Sequence, residues 1–265
     1  MMRHLISRAA AAVLGAGLFG APVMADTISF LSSNLNLYGS VGITFTTNIA
    51  GLDQTATIKT NWAAGSDNAG GFAGYLNGAT TPTLFFCDDL FDYLATQATT
   101  ATPGVYTVSL VSGTGKLSSN AKAMTTTTSN ALNALMTNGQ TFIAAQSTTT
   151  AQAAASAALQ VAIWALAYNG AATAVTTTTN AFYVNTATDN AVITDANAFL
   201  SCAFGTAVTG VCPVWSTSTT KVVSNYTLAG SQSVVGLTNV PEPASMVLLG
   251  GALAGLAALR RSRRG

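Results

Sequence analysis

The sequence predicts a mixed, mainly β fold: an antiparallel β-sandwich or barrel with a helical insertion, followed by a C-terminal transmembrane helix. Three observations carry this. Stretches of the body alternate apolar and small polar residues, as in TISFLSSNLNLYGSVGITFTT from Thr27 and VYTVSLV from Val105, and such a period of two marks strands with one buried face. An alanine-rich stretch, Ala151 to Tyr168, carries Leu159, Ile163 and Leu166 at helical spacing. After Pro243 an uncharged run, Ala244 to Leu259, is closed by Arg260, Arg261, Arg263 and Arg264.

The chain divides into three parts. At the start, Arg3 and Arg8 precede an apolar run from Ala9 to Phe19 and a small-residue site, Val23-Met24-Ala25. This is the build of a secretory signal peptide spanning residues 1–25, with cleavage expected after Ala25. Its apolar core is short for an uncleaved anchor. Residues 26–239 form an extracytoplasmic body, and residues 240–265 a C-terminal signal. The run from Ala244 to Leu259 falls a little short of the ~20 residues of a membrane span, but snorkelling arginines and local bilayer thinning make up the difference. The arginines stay on the cytoplasmic side, which leaves the body outside the inner membrane.

Within the body, residues Thr27 to Lys59 read as several strands separated by glycines, and Ala63 to Gly78 as a glycine-rich loop. The apolar run Thr83 to Phe86 leads into Cys87. Val105 to Val111 reads as a strand closed by Ser112-Gly113-Thr114-Gly115. The following Lys116 makes SGTGK similar to a piece of a phosphate-binding loop, but the earlier glycine is missing and Leu117 replaces the required hydroxyl residue. A hairpin turn is the expected form. Ser129 to Met136 reads as a short helix with Ser129 as its N-cap and Gly139 just past its end. Ala151 to Tyr168 is the strongest helix and stops at Asn169-Gly170. Asp189 to Leu200 reads as another helix, and Lys221 to Leu228 and Ser233 to Leu237 return to strand alternation. The threonine tracts Thr125 to Asn130 and Ser147 to Gln152 are expected to be exposed connections.

Charge is confined. Between the end segments stand only Lys59, Lys116, Lys122 and Lys221 against eight aspartates, while all six arginines, His4 and Glu242 lie in the ends. The formal net charge of +1 therefore hides a weakly acidic body. Without arginine such a body cannot make the phosphate contacts that dominate nucleic-acid binding, so nucleic acid is excluded as a main partner. Without histidine it has no Ser-His-Asp or Cys-His catalysis and no imidazole-ligated zinc. A glycosidase can work with aspartates alone, yet no spacing here marks a catalytic pair. The chain reads as a non-enzyme that needs no cofactor.

Export places the body where disulfides persist. Cys202 and Cys212 bracket a glycine-containing loop and are expected to pair, which leaves Cys87 as an odd cysteine.

Two resemblances add to this reading. Val240-Pro241-Glu242-Pro243, then Ala244-Ser245, the apolar run and the arginines resemble the PEP-CTERM sorting signal of Gram-negative bacteria. That resemblance implies handling by an exosortase, a membrane cysteine protease that cuts near Pro-Glu-Pro. The protein would be held in the inner membrane at first and then passed to the cell surface or extracellular matrix, a setting of biofilm polymers. In the body, Phe85-Phe86-Cys87 followed by Leu159-Gln160-Val161-Ala162-Ile163-Trp164 resembles the paired motifs of bacterial thioester domains of surface adhesins. The resemblance implies a bond between the Cys87 sulfur and the Gln160 side-chain carbonyl, with ammonia released and Trp164, one helical turn on, shielding it. Asp88 departs from the pattern, which has an apolar residue there.

The remaining candidates are weaker. Asp88, Asp89 and Asp92 have the oxygen ligands calcium takes, but lack the EF-hand spacing and read as a solvated turn, so no metal is expected. A carbohydrate-binding or inert structural module of the polymer matrix is the alternative; a binding module would need Trp62, Tyr75 and Trp215 exposed on one face. The partners expected are the exosortase, the inner membrane and, outside, polysaccharide or surface amines.

Overall fold

The computed structural model of the chain describes residues 24–30, 41–48, 54–57, 69–90, 104–111, 115–229 and 231–239. The elements run in the order β1 Met24–Phe30, β2 Ile43–Thr47, β3 Gln54–Thr57, β4 Phe72–Leu76, β5 Thr83–Cys87, β6 Gly104–Leu110, α1 Thr126–Ala144, α2 Thr149–Asn169, β7 Phe182–Ala187, α3 Ala191–Ala203, β8 Lys221–Thr227 and β9 Val234–Asn239. Six strands close into an antiparallel barrel in the order β1-β4-β5-β9-β8-β6, and β3-β2-β7 form a second sheet. The expected barrel with a helical insertion is the fold observed, and closure removes the exposed edges an open sheet would carry.

The barrel is narrow and filled with rings. Phe30 meets Phe72, Phe85 and Tyr106 edge-on at centroid distances of 6.5, 6.1 and 6.4 Å, and Phe85 meets Tyr226 at 5.4 Å. Edge-to-face contacts of this kind add to plain area burial. The strand alternation that predicted these elements sends Phe85 inward, and by the same alternation Cys87, two residues on, lies on the Phe85 face. Gly236 pairs with Phe85 across the β5–β9 ladder. A Cβ there would sit 2.7 Å from the Phe85 ring, so the glycine makes room for the aromatic core.

Beside the barrel, α1, α2 and α3 pack on one another, and α2 also reaches β5 and β7. Every residue of α2 from Ala154 to Tyr168 is buried. By length and composition α2 suffices to cross a membrane, yet 78% of its apolar window lies inside the protein, so it is the core helix of the body. A helix apolar on all sides must be surrounded on all sides. Its end is the one read from sequence: Gly170 takes the left-handed conformation at φ 69° and its N–H bonds to the Leu166 carbonyl.

Several expectations are corrected. Helix α1 is 19 residues long, not a short Ser129–Met136 segment. The threonine tract Thr125 to Asn130 is its first turn and a half: Thr125 is the N-cap, locked with Thr128 in a reciprocal capping arrangement. Ser129 is buried within the helix, and Gly139 lies in its interior against Leu159 of α2. The second tract likewise opens a helix, with the Thr148 hydroxyl accepting from Ala151 N–H at 3.1 Å. The glycine-rich piece Ala63 to Gly78 contains β4, and Ala69 bridges to Val41. Strand β7 was not expected at all. The two residues before the expected cleavage point, Met24 and Ala25, lie in β1, paired with Val108 and Thr107 of β6. The C-terminal transmembrane helix, residues 1–23 and the turn residues 112–114 lie outside the described residues.

Candidate functional site

The two residues singled out from separate motifs meet. Cys87 ends β5 and Gln160 sits in the middle of α2, 73 residues later. The Cys87 N–H donates to Gln160 Oε1 at 3.0 Å, and Gln160 Nε2 donates to the Cys87 carbonyl at 2.6 Å. Cys87 and Gln160 are 2% and 1% exposed, so the Gln160 carboxamide meets the Cys87 backbone in the interior. Gln160 is therefore no surface residue of an alanine-rich helix.

The arrangement follows from one stripe on α2. Ser156, Gln160, Trp164 and Tyr168 recur every four residues, which places them along nearly one face of a helix. Ser156 Oγ accepts from Gly71 N–H at 2.9 Å, Gln160 pairs with Cys87, and Tyr168 Oη accepts from Leu90 N–H at 3.1 Å. Strands β4 and β5 pair only as far as Phe72 and Phe85. Beyond that point the strands need other partners, since buried N–H and C=O groups must find them. The stripe supplies these. It was legible as polar residues at helical spacing inside an apolar helix, but only Gln160 and Trp164 were read that way; Ser156 and Tyr168 were missed.

Trp164 is 1% exposed, its Nε1 buried without a hydrogen-bond partner, and its ring meets Phe182 edge-on at 6.2 Å. It closes the interior one turn beyond Gln160. Asp88 and Asp89 are buried at 0% and 4% exposure, which overturns their reading as a solvated turn. Ser233 Oγ donates to Asp88 Oδ1, Asp88 N–H to the Ser233 carbonyl at 3.3 Å, and Gln232 Nε2 to the Asp89 carbonyl. Ser233 and Gln232 immediately precede β9, so the β5 and β9 segments hold each other beyond their ladder. Asp92 lies outside the described residues, and among those described no cluster of three acidic, histidine or cysteine groups can hold a metal.

Electrostatics favour neutral groups here. Burial, and then the nearby Asp88 and Asp89, push the Cys87 thiol well above its ordinary range. Burial also pushes the Asp88 carboxyl well up, against the Ser233 hydrogen bond that favours its ionised form. Tyr106, whose phenol shares the barrel with Cys87, is raised to about 12, chiefly by burial and next by Cys87. Desolvation disfavours charge in each case. Cys87 therefore holds its proton.

Cys202 and Cys212 form a disulfide, with Cα atoms 6.3 Å apart, that ties the last turn of α3 to the Val208–Cys212 bridge. Closing a loop of this length stabilises by about 3 kcal/mol in the chain-entropy picture. Cys87 is the free cysteine among the described residues. Of the three aromatics a carbohydrate face would need, Trp215 is buried against Phe199 at 5.0 Å and Tyr75 is half-buried, while Trp62 lies outside the described residues. The sorting residues Val240, Pro241, Glu242 and Pro243 and the arginines Arg260, Arg261, Arg263 and Arg264 lie outside them too.

Comparison with known proteins gives three findings. The family description PEP-CTERM protein-sorting motif matches residues 239–264. No curated protein matches the chain. Among solved structures the chain is similar to the N-terminal domain of the Streptococcus pyogenes pilus tip adhesin Cpa, at 10% identity and TM-score 0.41 over 80% of this chain and 98% of that one. It is also similar to the N-terminal thioester domain of the fibronectin-binding protein SfbI from Streptococcus pyogenes, at 12% identity and TM-score 0.40 over 77% and 95%. The motif at 239–264 is a signal for exosortase-dependent export and sorting.

Proposed function

We propose that this is an exported surface protein whose body carries an internal thioester between Cys87 and Gln160, used to attach covalently to amines outside the cell. The observation that carries the reading is the doubly hydrogen-bonded, fully buried contact of the Gln160 carboxamide with the Cys87 backbone. A glutamine in the centre of an apolar helix is costly unless satisfied, and here its partner is the residue bearing the free thiol. The same contact fits the chemistry. The Cys87 N–H bonded to Oε1 polarises the carbonyl and stabilises the oxyanion that forms when sulfur adds to Cδ.

In the forming step the Cys87 Sγ–Gln160 Cδ bond is made and the Cδ–Nε2 bond breaks. The thiol proton goes to the departing nitrogen, which leaves as ammonia. A protonated thiol suits this exchange, which consumes no outside base. In the using step a primary amine adds to Cδ, the Cδ–Sγ bond breaks, and an amine proton returns to Sγ, leaving an amide and a free thiol. Holding the groups together supplies the rate that a strong base would otherwise give. The remaining parts of the reading concern delivery. The signal peptide leaves after Ala25, the span Ala244 to Leu259 anchors the chain with its arginines inside, and the exosortase cuts near Pro241-Glu242-Pro243 to pass the body to the surface or matrix.

Intact-mass measurement of the purified native protein tests the thioester. The expected result is a deficit of one ammonia in the wild type, absent in Cys87→Ala and Gln160→Ala. Methylamine should restore the undiminished mass plus one CH2, a methyl replacing one amide hydrogen of Gln160, and expose one alkylatable thiol. Cys87→Ala keeps the backbone groups that Gln160 binds and is the better-folded control. A wild type of undiminished mass, with native circular dichroism, overturns the reading.

A further inference from the structure

A groove of about 790 Å³ lies on the outer wall of the barrel, between the last two turns of α1, the starts of β5 and β8, and the end of β9. Leu84 and Leu237 line it, each next to a residue of the barrel interior, Phe85 and Gly236, as strand alternation requires. Helix α1 is held beside them where Gln140 Nε2 donates to the Leu84 carbonyl at 3.5 Å. Leu237 is only partly buried, so a strip of apolar surface stays open on the groove floor. Asn239, the last residue of β9, belongs to the wall, and Lys221, the first of β8, stands directly across the ladder from it. Lys221 is exposed and is the only charged residue of the described lining.

The geometry points to the chain's own next residues as the occupant, with Val240 and Pro241 against Leu84 and Leu237 and Glu242 on Lys221. Those residues lie outside the described ones, but the chain passes to them from Asn239, so whatever path it takes begins at the groove wall. Charge selects the same segment. Glu242 is the only acidic residue after Asp195, and three residues span at most about 10 Å from Asn239, so it is the one acid of the tail within reach of Lys221. Pro241 has no N–H with which to extend the β8–β9 ladder, and its apolar ring suits the strip. An exposed ion pair alone contributes little, and a separate molecule must also offset the lost freedom of association. A connection of three residues avoids that cost, because it holds the segment at an effective concentration on the order of millimolar. Seated there, Pro-Glu-Pro is covered by the folded body, and a protease must displace it before cutting. The body therefore restrains cleavage of its own sorting signal. This rests on the match at 239–264 and requires nothing of the thioester.

Carbodiimide cross-linking of the full-length protein in a nonionic detergent, read by peptide mass spectrometry, tests the seat. The reagent activates the Glu242 carboxyl, the Lys221 Nζ adds to it, and an amide forms while the reagent takes up the lost water as its urea. The Lys221–Glu242 link should dominate over links from Glu242 to any other lysine and should vanish in Glu242→Gln. Thr141→Trp, at an exposed position of α1 in the groove lining, fills the groove without touching the core and should lower the yield several-fold at unchanged circular dichroism. A mixture of isotope-labelled and unlabelled chains should link within each chain. Proteinase K should cut the Pro241-Glu242-Pro243 segment several-fold faster in Lys221→Gln and in Thr141→Trp than in the wild type. Cys87→Ala should behave as the wild type in both assays, so failure of the thioester leaves this result standing. Links spread evenly over the lysines, a yield and cutting rate unchanged in Thr141→Trp, or links between chains, which would put a second copy's tail in the groove, overturn the assignment.

Discussion

Asp88 shows how a single side chain sets a condition on the whole site. Its carboxyl is fully buried beside Cys87, holds the Ser233 hydroxyl through Oδ1, and has no partner on Oδ2. Burial raises its proton affinity in the folded state. Below about pH 3.9, the ordinary aspartate value, folded and unfolded chains are both protonated and the group is silent. As the pH rises past that value the unfolded chain gives up its proton while the folded one keeps it, so stability falls until the folded carboxyl ionises. Asp195, also raised by burial and then by Asp189, works in the same direction. Asp88→Asn keeps an oxygen for Ser233 and carries no charge. Its melting temperature should therefore exceed that of the wild type at pH 7, the two should converge near pH 4, and a shallow slope from Asp195 should persist. Thermal melts across that range check this; a variant that is less stable at pH 7 and equally pH-dependent would remove the account.

Among the elements, β9 and α2 position the site between them, and each depends on small residues for it. Gly236 of β9 lies against the edge of the Phe85 ring, 2.7 Å from where a Cβ would stand, with Tyr226 at 3.3 Å. Neither ring can retreat within a closed six-strand barrel. Gly236→Ala should cost about 1–3 kcal/mol, the usual range for overpacking, read as a lower denaturation midpoint at unchanged m-value. Elements of this kind differ in how well the sequence announces them. Helix α2 was legible nearly to its ends because an alanine-rich stretch with Leu159, Ile163 and Leu166 at helical spacing, closed by Asn169-Gly170, has one good solution. Helix α1 was under-read because a threonine tract is ambiguous until its hydroxyls find the capping partners that Thr125 and Thr128 find. Strand β4 was hidden by glycines that serve close packing rather than turning: a Cβ on Gly74 would stand within 3.3 Å of Ile28, Phe30 and Phe85. For the site, the identities of Cys87 and Gln160 were legible from motif resemblance. The burial of Asp88 and Asp89 was not, because what buries them is the Gln232-Ser233 segment some 140 residues away, and no local pattern encodes such a contact.

At the scale of the molecule, the same strand links the candidate bond to the sorting signal. Strand β9 pairs its first residue, Val234, with Cys87, and its last, Asn239, is where the match to the sorting motif begins. The five steps between them span about 17 Å at ~3.3 Å per residue. The residue at which the sorting match begins thus stands at the end of β9 opposite the Cys87-paired end. If the proposed anchor holds the chain through the residues that follow Asn239, the Cys87-paired end of β9 is the end farther along the strand from the attachment, and covalent capture need not await release by the exosortase. Reconstituting the full-length chain in liposomes and adding a biotinylated primary amine from outside tests this. The amine should be incorporated at Gln160 at the same rate as into the detergent-solubilised chain, and Cys87→Ala should abolish incorporation in both. Slow incorporation in liposomes with normal incorporation in detergent would mean that the membrane covers the site, so that attachment would have to follow cleavage of the tail.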